Sequence, residues 1–279
     1  MTTLATVDGA ETGRLRREAR TLSAVIYRDL LRMVTQPAHT ALVLLQPLVY
    51  LLLLGGGLAA LVPASATGGD YRTYMFPGIL AMTVQTPAIG VGIRLITDRD
   101  SGYLRETLMA PARRSTLLLG LCLGGTAVAL LQGAALLTLA GTVNLPYQPT
   151  LFATLLAVMA LTALTLTALA TALATALHNI QTFNTLLGLT MLPLTILSGA
   201  FFPLSALPAW LQPFAALNPL TYAIDLMHHS IHVHTGRPTV PTGVHWGTVT
   251  PSPLLETLTL TALAALAFLA ATRRFARPE

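Results

Sequence analysis

Charged side chains concentrate in one short segment, residues 98–114, which lies between two long apolar runs. Five arginines occur from position 94 to position 114, and Asp98, Asp100 and Glu106 accompany them. An ionised side chain in the hydrocarbon of a bilayer costs several kcal/mol, so this segment must lie in water. Its excess of arginine indicates the cytoplasmic side of a membrane. We therefore interpret the segment as a surface through which a membrane protein contacts a soluble partner.

The pattern within this segment predicts a short helix. Ser101 and Gly102 suit a helix start, Leu104 and Leu108 share one face at i, i+4, and Pro111 stops the helix. An apolar ridge surrounded by charged residues has the packed centre and polar rim of a docking surface. The alternative is a solvated loop whose arginines only follow the positive-inside rule.

Acidic and histidine residues form a second group near the end of the chain. Asp225, His229 and His232 fall on one helical face at i, i+4 and i+7, a spacing that suits zinc binding or a response to pH. The alternative, which we favour, is a set of polar residues in an exposed region without a metal. Glu256 is the carboxyl group closest to the interior of an apolar run, so it could contact a proton or a cation. Alternatively, it is solvated at the end of that run or bonded to the outer hairpin.

Nothing in the apolar runs predicts catalysis. They hold mostly Leu, Ala, Thr and Gly, without the paired acids or the His, Ser and Cys sets of a membrane-embedded enzyme. All sixteen Lys and Arg residues are arginine, and a Walker A motif requires a lysine on the nucleotide phosphates. We therefore predict that the chain is not an enzyme and that any ATP-driven activity requires another polypeptide.

The composition is that of a polytopic helical membrane protein. Hydrophobic residues make up 53% of the chain and charged residues 10%, against about 25% charged residues in soluble globular domains. The arginines flank apolar runs and form no continuous basic patch, so we predict no nucleic-acid partner.

We predict an all-α fold in which residues 37–279 form a transmembrane domain with six spans. The first 13 residues are polar and aperiodic, and we expect them to be disordered. Residues 14–36 have separate apolar and arginine-rich faces, which predicts an amphipathic helix at the cytoplasmic lipid surface. Arginines near both termini place both in the cytoplasm. The predicted spans are residues 39–63, 75–96, 115–143, 150–177, 180–200 and 253–272.

The uncharged run over residues 179–224 is about twice the length of one span. Prolines recur through its second half and forbid a continuous helix there. We therefore predict a re-entrant or interfacial helical hairpin on the outer side, between the fifth and sixth spans. Asn218 and Pro219 predict a helix start, and Gly236 a helix end. The residues assigned to the hairpin are Pro203, Asn218, Pro219 and Asp225.

Residues 98–114 resemble the signature of the ABC-2 type permeases, the membrane subunits of exporters of the daunorubicin-resistance kind. The signature is an acidic-Arg-acidic triplet followed by Gly, Leu, Leu, Pro and Arg at fixed offsets. Further landmarks of the family follow in the usual order at Gln46-Pro47, at residues 77–80, at residues 198–203 and at residues 218–220. The matching residues are Asp98, Arg99, Asp100, Gly102, Leu104, Leu108, Pro111 and Arg113.

The resemblance implies a dimer of six-span permease subunits, identical or different, in the bacterial plasma membrane. Two cytoplasmic ATPase subunits would bind ATP and Mg, and this chain would bind no cofactor. The segment from Asp98 to Arg113, with Glu106, would form a coupling helix in a cleft of the ATPase, and the outer hairpin would help to close the exit.

A hydrophobic or amphipathic compound, such as a drug, an antibiotic or a lipid, is the cargo that this resemblance favours. Two alternatives stay open from the sequence: an exporter of polysaccharide or glycolipid with the same architecture, and a membrane-integral enzyme or scaffold.

Overall fold

The computed structural model describes residues 4–57, 70–102, 114–177, 179–236 and 251–275. Over these residues all regular structure is helical, because long apolar runs rich in Leu and Ala satisfy their backbone hydrogen bonds locally. The helices are α1 (Leu4–Thr35), α2 (Pro37–Gly57), α3 (Tyr71–Asp100), α4 (Arg114–Leu137), α5 (Pro149–Ala176), α6 (Ile180–Ile196), α7 (Gln212–Leu217), α8 (Pro219–Thr235) and α9 (Pro253–Phe275), with 3-10 helices at Ala140–Val143 and Leu204–Ala206.

Five of these helices, α2, α3, α4, α5 and α9, are long and apolar enough to cross a membrane. Helix α6 is apolar but has 17 residues. At 1.5 Å per residue it is about 26 Å long, against about 30 Å of hydrocarbon. The prediction of an all-helical, multi-pass membrane protein is confirmed, and five of the six predicted spans meet the length of a full crossing.

Two predicted spans are longer than the helices observed. The third was predicted over residues 115–143, but α4 ends at Leu137 and the chain turns at Asn144, which has a left-handed φ of 58°. The fifth was predicted over residues 180–200, but α6 ends at Ile196 and Gly199 follows with a φ of 81°. In both places a residue type that tolerates positive φ changes the direction of the chain.

Helix α1 begins earlier than predicted. It starts at Leu4, so residues 4–13 are helical where disorder was expected. An established helix gains one hydrogen bond for each residue added, which lets a polar segment without proline continue it. The helix ends at Thr35 because Gln36 precedes Pro37, and a residue before proline disfavours helical torsion angles.

The centre of the bundle lies between α3 and α5, and α4, α8 and α9 pack against α5. Glycine permits close contact here: a Cβ on Gly78 of α3 would lie 2.6 Å from the backbone of Ala200. Of the five helices long enough to cross a membrane, α2 is the least buried, with 17% of its apolar stretch inside the protein. Side chains fully buried in the centre include Met75, Phe76, Ile79, Leu80, Leu151, Leu155 and Met159.

Hydrogen bonds show which helix termini lie together. At one end, Arg72 donates from Nε to the Gly55 carbonyl at 2.9 Å, and Thr73 donates to the Val143 carbonyl at 2.8 Å. These bonds join the start of α3 to the end of α2 and to the 3-10 helix after α4. We call this the hairpin end, because α8 also packs near the start of α3. The opposite end, which carries Asp98, is called the charged end.

The predicted start and end of the hairpin helix α8 are confirmed. The Asn218 side chain accepts a hydrogen bond from the Leu220 amide at 3.0 Å, and Pro219 occupies the first helical position. Gly236 closes the helix with a φ of 63°. One face of α8 is buried against α3, α5 and α9, so the helix packs on protein as the prediction required.

Candidate functional site at the charged end

A carboxylate is buried at the charged end, at Asp29 of α1. Its side chain has no exposed surface. Arg94 of α3 lies 3.3 Å from Oδ2, and the Nε of Arg28 lies 3.6 Å from Oδ1. A buried carboxylate requires such compensation, because an isolated charge out of water is strongly unfavourable. The pair with Arg94 therefore joins α1 to α3, and Arg28 adds a second positive charge from α1 itself.

Glycines in α4 allow Asp29 to reach this position. A Cβ on Gly124 would lie 2.6 Å from Oδ2 of Asp29, and a Cβ on Gly120 would lie 3.2 Å from Val25. Two glycines four residues apart form the small-residue pattern that permits close helix approach. Sequence reasoning missed this site because it treated α1 as a surface helix. The signal available was the pattern of Gly120 and Gly124 together with an acid among arginines.

The signature residues at the end of α3 connect three helices. Asp98 lies 3.6 Å from Nη1 of Arg28, so it joins α3 to α1. Arg99 donates from Nη2 to the carbonyl of Leu177, immediately after α5, at 2.6 Å. A cation at the carboxyl end of a helix is also stabilised by the helix dipole. Asp100 is exposed, and Gly102 follows the helix with a φ of 76°.

The remainder of the predicted coupling helix, including Leu104, Glu106, Leu108, Pro111 and Arg113, lies outside the described residues. The chain resumes at Arg114, whose Nη1 donates to the Phe275 carbonyl at the end of α9, at 2.9 Å. The segment therefore leaves and rejoins the bundle at two arginines that each bind the carboxyl end of another helix.

A cavity of about 950 Å³ begins beside the Asp29 cluster and lies among α1, α2, α3, α4 and α6. Arg32 and His39 line it near the charged end, and Phe201 and Phe202 line it near the hairpin end. Its other walls are largely Leu, Met, Ile and Pro side chains with some glutamine and threonine. Its volume is in the range of sites for drug-sized molecules.

Two buried glutamines supply polar groups to this cavity. Gln85 donates from Nε2 to the sulfur of Met191 at 2.7 Å, and its Oε1 accepts from Thr195 at 3.2 Å. Gln132 is 4% exposed, and its Oε1 has no hydrogen-bond partner among the described residues. A buried amide oxygen without a partner can accept a hydrogen bond from a molecule that enters the cavity.

The candidate residues of the hairpin are separated in the structure. Asn218 donates from Nδ2 to the Leu194 carbonyl at 2.6 Å, which ties α8 to α6, and Pro203 is buried. His229 and His232 are exposed, whereas Asp225 is half-buried and interacts electrostatically with Glu256 of α9. Over the described residues, no three His, Cys, Asp or Glu side chains lie close enough together to hold a metal ion.

The comparisons with known proteins agree with this architecture. The chain is 30% identical over 209 residues to the transport permease ycf38 of Pyropia yezoensis, covering 73% of this chain and 71% of the relative. Nodulation protein J of Rhizobium leguminosarum bv. trifolii is also 30% identical, over 73% of this chain and 77% of its own length.

A third relative is the inner membrane transport permease YadH of Escherichia coli K12, 30% identical over 57% of this chain and 62% of its own. The family model for ABC-2 type transporters matches residues 20–231, which include the second half of α1, the signature residues, the cavity walls and most of α8. The chain therefore belongs to the ABC-2 type transporter family, as a transport permease of the membrane.

Proposed function

We propose that this permease is the membrane-spanning half of an exporter that carries a hydrophobic or amphipathic compound out of the cytoplasm. The observation that carries the proposal is the position of the signature residues: Asp98 and Arg99 link α3 to α1 and to the end of α5. ATP and Mg would bind to a separate ATPase subunit, because a chain without lysine has no Walker A lysine.

Six crossings account for the charge distribution. With α6 as the fifth crossing and the charged end in the cytoplasm, both termini are cytoplasmic, and only Arg72 and Arg237 of the sixteen arginines lie outside. A span of 17 residues is accommodated by local thinning of the bilayer at modest cost. Helices α7 and α8 would then form the outer hairpin, which enters the membrane region without crossing it.

Coupling would proceed from the segment after Gly102. In this proposal Leu104 and Leu108 contact a cleft of the ATPase, and movement of that subunit on binding ATP displaces the segment. Arg99 and Arg114 would pass the displacement to α5 and α9 through the carbonyl groups that they bind. Asp98 would pass it to α1 through Arg28.

The cavity is the proposed binding place for cargo. Its apolar walls suit a lipophilic body, and Gln85, Gln132 and Thr195 offer polar groups within the membrane. The exposed apolar side chains of α2 lie beside it, where a second permease subunit would complete the enclosure. Alternating access of this paired cavity would move cargo outward.

Replacement of the apolar ridge tests the coupling. The double change Leu104→Asp and Leu108→Asp should abolish co-purification with a co-expressed ABC ATPase subunit. Docking would then have to remove two charged carboxylates from water, which is unfavourable. The matched control is Ala209→Asp, an exposed position at the hairpin end, which should leave the complex intact. A complex that survives the double change would contradict the coupling role of this segment.

Replacement of Gln132 tests the cavity. Gln132→Leu should preserve folding and weaken the ATP-driven uptake of a fluorescent amphiphile with a hydroxyl or amine donor into inverted vesicles. An analogue without donors should be transported as before. The control is Gln181→Leu, an exposed glutamine of α6 outside the cavity. Equal transport of both amphiphiles by the Gln132 variant would exclude this amide from cargo binding.

A further inference from the structure

The charged residues that line the cavity all lie at one end of it. Asp29, Arg32 and Arg94 line it at the charged end, and the other lining residues are apolar or neutral polar side chains, with His39 at the start of α2. A cavity with charge at one end and apolar walls beyond it matches the chemistry of an amphiphile, a molecule with a charged head and an apolar body.

The sign of the charge at this end is positive. The carboxylate of Asp29 has no exposed surface and lies 3.3 Å from Arg94 and 3.6 Å from Nε of Arg28, so its charge is balanced within the protein. Arg32 lies one turn after Arg28 on α1, is exposed, and forms no ion pair among the described residues. The positive charge of Arg32 therefore faces the cavity without a counter-ion.

Arg94 has hydrogen-bonding capacity that its ion pair does not use. Its Nη2 lies 3.3 Å from Asp29, but its Nε is buried and has no hydrogen-bond partner among the described residues. Phosphate and carboxylate groups have several acceptor oxygens and pair closely with guanidinium groups. Arg32 of α1 and Arg94 of α3 supply two such groups to one cavity.

The same charges disfavour a cationic cargo. A positively charged head requires a carboxylate, and the acid among the lining residues, Asp29, is already paired with arginine. A cation beside Arg32 would also experience the repulsion of like charges. Further from this end, the buried amide oxygen of Gln132 can accept a hydrogen bond from a neutral donor in the body of the cargo.

We propose that the cavity selects an anionic amphiphile, whose phosphate or carboxylate head binds to Arg32 and Arg94. Its apolar body would extend toward Phe201 and Phe202 at the hairpin end. The inference rests on the proposed function, in which this cavity holds the cargo, and it names the class of that cargo. An amphiphile in the cytoplasmic leaflet already has this orientation, because its head lies at the boundary with water and its body in the hydrocarbon.

Binding of fluorescent probes to the full-length permease in an uncharged detergent tests the selection of charge. The probes share one dansyl-labelled dodecyl body and carry a phosphate, a hydroxyl or a trimethylammonium head. The phosphate probe should bind about tenfold more tightly than the hydroxyl probe, because hydrogen bonds to charged groups are stronger than neutral ones. The trimethylammonium probe should bind most weakly. Equal binding of the three probes would overturn the proposal.

Variants of Arg32 test the position of the head. Arg32→Gln should weaken binding of the phosphate probe about tenfold and leave the hydroxyl probe unchanged. Arg32→Lys, which keeps the charge, should restore part of the affinity. The matched control is Arg20→Gln, an exposed arginine of α1 outside the cavity, which should bind every probe as the unmodified protein does. An Arg32→Gln protein with unchanged affinity for the phosphate probe would overturn the site.

Competition against the phosphate probe distinguishes the sources of the anion. Displacement by a two-chain anionic phospholipid would support the proposal with a membrane lipid as cargo. Displacement by an unlabelled dodecyl phosphate, but not by the phospholipid, would support it with a single-chain compound. Inorganic phosphate that displaces the probe at the same concentration as dodecyl phosphate would overturn the proposal, because the apolar body would then contribute nothing.

ATP-driven uptake into inverted vesicles, with a co-expressed ATPase subunit, separates this inference from the proposed function. Uptake of the phosphate probe above that of the other two would support both. Equal uptake of all three would leave the export function standing and overturn the selection of an anion. Arg32-dependent binding without ATP-driven uptake of any probe would support the anion site and overturn the exporter.

Discussion

Asp29 at the charged end and Glu256 at the hairpin end are both 2% exposed, yet their partners differ in charge. Asp29 lies between two arginines at 3.3 and 3.6 Å. Glu256 of α9 lies near another acid, Asp225 of α8. The first arrangement neutralises a buried charge with opposite charge, whereas the second places two acids near each other.

The difference follows from the position of each acid in its helix. Asp29 lies near the end of α1, where arginines on α1 and α3 keep part of their surface exposed while they reach the carboxylate. Glu256 lies beside α8, and the buried histidine of α8 is His228. The charged end therefore joins its helices through ion pairs, whereas the hairpin end buries an acid for which the described residues show no ion pair.

The largest expected effect distinguishes the two acids directly. Asp29→Asn should lower the free energy of unfolding by about 3 kcal/mol, because the largely buried Arg94 then loses the anion that compensates it. Glu256→Gln should change it by less than about 1 kcal/mol at neutral pH, because the described residues show no ion pair to Glu256 and the amide keeps the size of the side chain. Chemical unfolding in mixed micelles measures both values. Equal losses would remove the distinction between the two ends.

The next effect tests the close contact that brings Asp29 into the bundle. Gly124→Ala should destabilise the protein by about 1–3 kcal/mol, because the added methyl group overlaps Oδ2 of Asp29 and displaces α1. Gly90→Ala is the control, since no atom lies within 4 Å of its Cβ position. A stable Gly124 variant would mean that α1 adjusts without loss of its ion pairs. Limited proteolysis at the start of α1 gives an independent measure.

A smaller effect is expected where the hairpin joins α6. Asn218→Ala removes both the cap on the Leu220 amide and the hydrogen bond to the Leu194 carbonyl. We expect a loss of about 1–2 kcal/mol. Asn184→Ala replaces an exposed asparagine of α6 and should have little effect. The melting temperatures of the Asn218 and Asn184 variants measure the two losses of stability. Equal values would show that the cap adds no stability to α8.

The smallest effect concerns the outer ion pair of the charged end. Asp98→Asn breaks a partly exposed contact with Arg28 at 3.6 Å, so the loss of stability should stay below about 1 kcal/mol. Its effect on transport should be larger than its effect on stability, because Asp98 belongs to the signature that we assign to coupling. Unfolding and ATP-driven transport, measured on the same preparation, separate the two. A variant that is unstable and still transports would reverse the assignment.

Local signals predicted the hairpin helix well. Asn218 and Pro219 start α8, and Gly236 ends it, because a cap and a left-handed glycine act through neighbouring backbone atoms. Features that depend on residues distant in the chain were predicted less well. The end of α4 at Leu137 fell inside a predicted span because its apolar run continues beyond the helix.

The residue pattern of α1 did not predict its buried acid. The separate apolar and basic faces favoured a helix on the lipid surface, whereas among the described side chains of α1 the most buried is Asp29. A prediction from helical periodicity places an acid on the solvent-facing side, because it cannot take into account an arginine that another helix supplies. The glycines of α4 that permit the contacts with Asp29 and Val25 each lie 95 positions further along the chain.

By itself, the sequence determined the helical class, the membrane environment, the family signature and the caps of α8. These properties depend on apolar length and on contacts within a few residues, so they can be recognised in one dimension. Only the tertiary structure decided which buried acid meets arginine and which meets another acid. That difference depends on where helices distant in the chain cross. A glycine without a Cβ lets two helices approach closely, and a side chain from α3 or α8 then sets the local charge.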